Sequence, residues 1–196
     1  MISKRQFLVL SGATAGACAI AAVQSSPRSR PGPRAGYFPN TTVLTHDGHK
    51  LRFYDDIVKG KVVAINMMYT ACTGICPGNT ANLKLVQEEL ADHLDKHVFM
   101  YSMTLRPDID TPQALRDYVK RYAIPKGWTF LTGKPAEMDA IRRKLGFFND
   151  DPIIDADPNQ HTGMVRVGNE ALDRWAMCPA LGSPKQTART ILQLRA

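Results

Sequence analysis

The chain has 196 residues, 44% of them hydrophobic and 22% charged, with 4 Cys, a composition that excludes disordered, fibrous and small disulfide-stapled classes. The length fits one ordinary domain with some chain to spare. The formal charge of +7 does not mark a nucleic-acid surface: five cations and no acid precede residue 36, so the rest carries only +2.

Residues 1–23 read as an export segment. Lys4-Arg5 form a basic start, an apolar run of 17 residues extends from Phe7 to Val23, and Ala19, Ala21 and Ala22 supply small cleavage-type positions. The run is diluted by Ser11, Gly12, Thr14 and Gly16, whereas a spanning helix wants about 20 predominantly apolar residues. Ser3-Lys4-Arg5-Gln6-Phe7-Leu8 resembles a twin-arginine motif with Lys in the first Arg position, and Cys18 is expected to leave with the segment. Residues 24–36 hold Pro, Ser and Arg without a large apolar side chain, which predicts a disordered tether and a domain over 37–196.

Within that domain, Thr41 to Thr45 and Leu51 to Tyr54 flank His46-Asp47-Gly48-His49, a hairpin signal. Lys61 to Tyr69 is a continuous apolar run, as in a strand buried on both faces. After Pro77, Leu83, Val86, Leu90 and Leu94 recur at helical spacing, and Val98 to Met103 reads as the next strand. Thr111-Pro112 opens a second helix, with Thr as N-cap and Pro at the first helical position. Trp128 to Leu131 predicts a strand, and Pro135 to Leu145 a helix closed by Gly146. Met164 to Val167 and Ala171 to Trp175 predict a second hairpin around Gly168-Asn169, and Ser183-Pro184 a last helix through Leu194. Strands alternating with helices indicate a three-layer α/β domain, a central mixed sheet flanked by helices with an added N-terminal β-hairpin.

The chemistry-bearing residues cluster after the buried run. Cys72 and Cys76 follow it directly, where the helix begins, and a spacing of four puts two helical side chains on one face. A helix N-terminus lowers a thiol pKa by stabilising the thiolate, which is both nucleophile and metal ligand. The spacing is one residue wider than the Cys-x-x-Cys of ordinary dithiol oxidoreductases and suits two thiolates meeting one ion. His161, between the polar stretch Asp155 to Gln160 and a strand, is the best candidate for a third ligand; His46, His49, His93 and His97 sit in a turn or at a helix end. Two thiolates and an imidazole suit Cu(I), with Zn(II) as a rival that usually adds a fourth ligand. Met67, Met68, Met100, Met103, Met164 and Met177 read as core filler rather than thioether ligands. The Asp residues from Asp150 to Asp157 read as turn formers, with a partner-docking role or a hydrogen bond orienting His161 as alternatives.

Several segments resemble one family. Phe53-Tyr54-Asp55-Asp56 through Gly60-Lys61-Val62-Val63, then Cys72-Thr73-Gly74-Ile75-Cys76-Pro77, Asp110-Thr111-Pro112, Trp128 to Gly133 and the late His161 look like the Sco/SenC family. Its members are thioredoxin-fold copper proteins of the inner-membrane surface that help assemble the CuA centre of cytochrome c oxidase. The resemblance implies a thioredoxin-like fold, copper as Cu(I) or Cu(II), Cys72, Cys76 and His161 as its ligands, and the CuA-bearing oxidase subunit as partner. It also implies a location in the periplasm or at the outer face of the inner membrane, among other periplasmic copper or thiol-redox proteins. The family commonly places an Asp and an aromatic strand around the His, whereas Thr162-Gly163-Met164-Val165-Arg166 follows it here.

Two functions compete: a copper chaperone without turnover chemistry, and a thiol–disulfide oxidoreductase in which Cys72 attacks and Cys76 resolves. Removal of Cys18 leaves Cys178 as an odd thiol. A hairpin turning at Asn169-Glu170 sets Cys178 opposite His161 and makes it a possible accessory to the site; a turn at Gly168-Asn169 sets Ala176 there instead.

Overall fold

The structure, a computed structural model, describes residues 31–195. The expected leader, Cys18 and residues 24–30 lie outside the described residues.

The chain is already engaged before Tyr37. Gly32 O and Arg34 O accept backbone bonds from Ala35 and Tyr37, and the Arg34 N–H donates to Glu170 Oε1 at 3.1 Å. The compact unit accordingly starts at Pro31 rather than at 37, and the last residues of the expected tether are held to it.

Thr42–Thr45 (β1) and Lys50–Arg52 (β2) form the expected hairpin, with Gly48 at φ 87° in the turn, where a side chain is disfavoured. The chain does not stay extended to Tyr54. Phe53–Val58 winds into a π-helical turn that buries Phe53, Tyr54, Ile57 and Val58. Val62–Met68 (β3) is buried along its whole length, because its alternate side chains serve two cores: Val62, Ala64 and Met68 on one face, Val63, Ile65 and Met67 on the other.

Ile75–Glu89 (α1) ends five residues before Leu94, whose place is an isolated bridge to Val98, because Asp95 turns the chain at φ 57°. Val98–Thr104 (β4) follows, then Pro112–Arg121 (α2), whose N-cap Thr111 accepts from the Ala114 N–H at 3.2 Å. Trp128–Gly133 (β5) and Pro135–Lys144 (α3) come next, and Gly146 at φ 86° closes the latter.

The polar stretch read as turns folds into Pro152–Asp155 (α4) and a 3₁₀ turn, Pro158–His161. Asp151 and Asp157 cap these by accepting from the N–H groups two residues on, at 2.8 and 2.9 Å. Met164–Asn169 (β6), Arg174–Pro179 (β7) and Pro184–Gln193 (α5) complete the domain.

The strands form one mixed sheet in the order β2-β1-β5-β4-β3-β6-β7, with β3, β4 and β5 parallel and the remaining pairs antiparallel. Buried residues of α1, α2 and α5 pack on one face; α3 and the π-helical turn pack on the other. The three-layer α/β reading therefore holds, with the N-terminal hairpin continuing the sheet through β1 and β5. Met67, Met68, Met100 and Met103 are buried core residues, as expected.

The second hairpin corrects the register. Its loop is longer than either turn considered, and Val165 stands opposite Cys178 while Met164 stands opposite Pro179. His161 precedes β6 altogether, so it does not face Cys178. That thiol is instead buried in the core beneath α5, beside Thr190.

Candidate metal site

The parallel strands β3 and β4 end side by side, and the loops beyond them carry the candidate chemistry, as is usual at the carboxyl edge of an α/β sheet. Thr70, just past β3, is clamped by the fully buried Asp110: its N–H lies 3.1 Å from one carboxylate oxygen, its hydroxyl bonds the other, and Thr104 donates from the end of β4. The carboxylate thus fixes the segment that leads into Cys72.

Cys72 and Cys76 are both reduced and buried. Cys76 lies in the first turn of α1, where backbone N–H groups have no intrahelical acceptor. Burial alone raises the Cys72 pKa, but hydrogen bonds from the Cys76 side chain and from the Cys76 and Gly74 N–H groups outweigh it and bring the thiol below its ordinary value. Cys76 moves the other way. Burial, its bond to Cys72 and the Cys72 charge push it up to about 12. Cys72 is therefore the more acidic thiol of the pair, and Cys76 the one that keeps its proton longer.

His161 is buried at the end of the 3₁₀ turn. Its Nε2 lies 3.0 Å from the Asp155 carbonyl oxygen, 3.4 Å from Asp155 Oδ1 and 3.2 Å from Arg142 Nη1. Arg142 comes from α3 and belongs to the sheet face opposite α1, so the thiols and the imidazole are anchored on different layers. A cavity of about 340 Å³ lined by Leu105, Arg142, Arg143, Asp155, Pro158 and His161 opens beside the ring.

Two hydrogen bonds link the halves. Tyr69 donates to Asn159 Oδ1 at 2.7 Å, and Asn79 Nδ2, on α1, donates to the Thr162 carbonyl at 2.6 Å. The structure thus brings Cys72 and Cys76 together and ties the His161 segment to them. No group of three or more His, Cys, Asp and Glu close enough to hold a metal ion occurs among the described residues. His46 serves the first hairpin instead: its Nδ1 accepts from the Phe130 N–H at 3.2 Å.

A family model described as SCO1/SenC matches residues 39–194. The chain belongs to the SCO1/SenC family. It is 30% identical over 94 residues to the SCO1 protein homolog of Bacillus subtilis, a match covering 47% of each chain, so it spans about half the length of that relative. Among solved structures it resembles Bradyrhizobium japonicum ScoI with copper bound, at a TM-score of 0.60 and 19% identity, covering 78% of this chain and 96% of the other. BsSco, a member of the Sco family of cytochrome c oxidase assembly proteins with an identified disulfide switch, aligns at a TM-score of 0.61 and 20% identity, over 79% and 91% of the two chains. These likenesses establish the thioredoxin-like fold of the SCO1/SenC chain.

Around the expected residues, Tyr69, Arg142 and the clamping role of Asp110 were not read from the sequence. Tyr69 closes the strand run as an ordinary aromatic, and Arg142 sits in a basic helix end, Arg142-Arg143-Lys144, that looks solvated. No local pattern distinguishes them. The reading of the acidic stretch as a partner for His161 did contain a signal, since Asp155 is the residue that meets the ring.

Proposed function

We propose that this chain carries copper as cargo, held by the Cys72 and Cys76 thiolates and the His161 imidazole, and delivers it to the CuA-bearing subunit of cytochrome c oxidase. The observation that carries the reading is the thiol pair itself: two reduced, hydrogen-bonded cysteines with opposed pKa shifts at the opening of α1. Soft thiolates with one imidazole match Cu(I), and the copper-bound ScoI relative supports the same cargo. The Tyr69–Asn159 and Asn79–Thr162 hydrogen bonds tie the His161 segment to the thiol turn and its helix, which supports a shared site. The basic and apolar leader favours work at the outer face of the inner membrane or in the periplasm.

Titrating the reduced protein with Cu(I) against a competing chelator tests the assignment. One copper per chain is expected, with binding abolished in Cys72→Ser and Cys76→Ser and weakened in His161→Ala. An unchanged affinity in His161→Ala removes the imidazole from the ligand set.

A second reading rests on the same asymmetry and on the disulfide switch of BsSco. The Cys72 thiolate attacks a partner disulfide, releasing one partner thiolate and forming a mixed disulfide. Cys76, losing its proton, then displaces the second partner thiolate and closes the Cys72–Cys76 bond. The partner gains two electrons, and its two thiolates take up one proton from Cys76 and one from solvent, leaving the reduced thiols that CuA metallation needs. In Cys76→Ser the mixed disulfide accumulates if this path operates; recovery of free partner thiols at the wild-type rate excludes it.

A further inference from the structure

The ring nitrogens of His161 are not equivalent, and a hydrogen count separates them. Arg142 Nη1 has two hydrogens. It lies 2.6 Å from the Phe147 carbonyl and 2.7 Å from Asp155 Oδ1, and both oxygens only accept. Both hydrogens are thereby used, and none remains for the His161 Nε2 that lies 3.2 Å away. The other neighbours of Nε2 are the Asp155 carbonyl at 3.0 Å and Asp155 Oδ1 at 3.4 Å, again acceptors. Nε2 satisfies them only by carrying a hydrogen and donating it. A neutral imidazole has a single N–H, which leaves the Nδ1 lone pair free. No described residue hydrogen-bonds Nδ1.

We infer that Arg142 and Asp155 are positioning residues for His161, holding the ring as its Nε2–H form so that Nδ1 is the nitrogen offered to copper. A ligating histidine generally donates its other N–H to a carbonyl or carboxylate, which fixes its tautomer and orientation. Here that acceptor is the Asp155 backbone, set at the last residue of α4. The Asp155 carboxylate accepts from the Asn149 N–H at 2.9 Å as well as from Arg142 Nη2 at 2.9 Å, and Arg142 is braced in turn by Asp139. The clamp is therefore built on α3 and α4, apart from the thiols at the opening of α1. Arg142 adds specificity of its own: with its hydrogens committed to oxygen, it cannot stabilise the opposite tautomer by donating to Nε2.

The inference rests on the copper reading for its ligand role, but its first test does not. In the metal-free, reduced full chain, long-range ¹H–¹⁵N correlation of His161 is expected to find the hydrogen on Nε2 and none on Nδ1. A Nδ1–H form overturns the inference with or without copper. On addition of one equivalent of Cu(I), the Nδ1 resonance is expected to move more than Nε2; the reverse order also overturns it. Arg142→Gln is expected to give mixed tautomers and a copper affinity about 10- to 100-fold lower, the usual effect of removing an orienting partner. Wild-type affinity in a folded Arg142→Gln protein contradicts the clamp. If that variant does not fold, the tautomer of the unaltered protein decides alone. Loss of the copper reading is recognised separately, by His161→Ala binding copper as well as the parent while the tautomer stays as inferred.

Discussion

Cys72, in the turn before α1, and Cys76, in its first turn, are driven apart in acidity, the first below its ordinary value and the second up to about 12. Only the thiolate is nucleophilic, so limiting iodoacetamide at neutral pH is expected to alkylate Cys72 first. Cys178, whose pKa burial also raises, lags behind it. Peptide mapping of partly alkylated protein checks the order, and preferential labelling of Cys76 contradicts it. The same shifts set the pH dependence of metal binding. Because Cys76 holds its proton until about 12, a copper ion taken up by the proposed thiolate pair has to displace that proton throughout the neutral range. Affinity therefore rises with pH, by about tenfold per unit for each proton released, and falls on acidification. Chelator competition between pH 6 and pH 8 measures the slope, and a flat profile is inconsistent with Cys76 as a ligand. Full oxidation to the Cys72–Cys76 disulfide is expected to remove tight binding entirely.

The β6–β7 hairpin shows how a single pairing constrains an element. Gly168 stands opposite Trp175, and a β-carbon at Gly168 would meet the Trp175 ring at 2.1 Å. The indole covers the glycine, lies tilted at 52° with its centroid 5.2 Å from that of Phe38, and carries the Arg166 guanidinium 5.8 Å from its centroid. Gly168→Ala is thus expected to expel Trp175 and destabilise the fold by about 1–3 kcal/mol, the range for overpacking. Urea unfolding followed by tryptophan fluorescence reads both effects; an unchanged midpoint shows that the ring is free to move. Register matters to function here because the strand that enters this hairpin leaves directly from His161 and Thr162. Asn79 on α1 holds the Thr162 carbonyl, so the hairpin and the thiol helix share one anchor.

Across the whole molecule, Glu170 connects three regions far apart in sequence. It is buried and accepts from the Tyr54 hydroxyl at 2.8 Å, the Gly60 N–H at 2.9 Å and the Arg34 N–H at 3.1 Å. Arg34 also pairs with Asp173 in the same hairpin loop. The segment before Tyr37 is thereby fastened at the end of the sheet where β3 begins, while the thiols lie beyond the end where it finishes. A chain beginning at Tyr37 is expected to lose about 1 kcal/mol and melt about 2–4 °C below one beginning at Pro31. Equal melting temperatures would mean that solvent replaces these bonds at no cost. Copper affinity is expected to be the same in both chains, since the carboxylate and the candidate metal site occupy opposite ends of the sheet.

Local chemistry made much of this protein legible. The unbroken apolar run of 61–69 announces a strand buried on both faces, Thr111-Pro112 and Ser183-Pro184 mark helix starts through their caps, and Cys72-x-x-x-Cys76-Pro77 names the reactive turn, because each signal is contained within a few residues. Tertiary structure decided what depends on partners far along the chain. Loop length set the β6–β7 register and moved Cys178 away from His161, since the alternation of side chains is the same for several registers. The helical turns of the acidic stretch are capped locally by Asp151 and Asp157, but the seat of Asp155 is set by Arg142 of α3. His161 was identifiable as a candidate ligand by type and position. Its environment was not, because the guanidinium and the carbonyl that surround Nε2 are supplied by α3 and α4, and no spacing in the sequence encodes their approach.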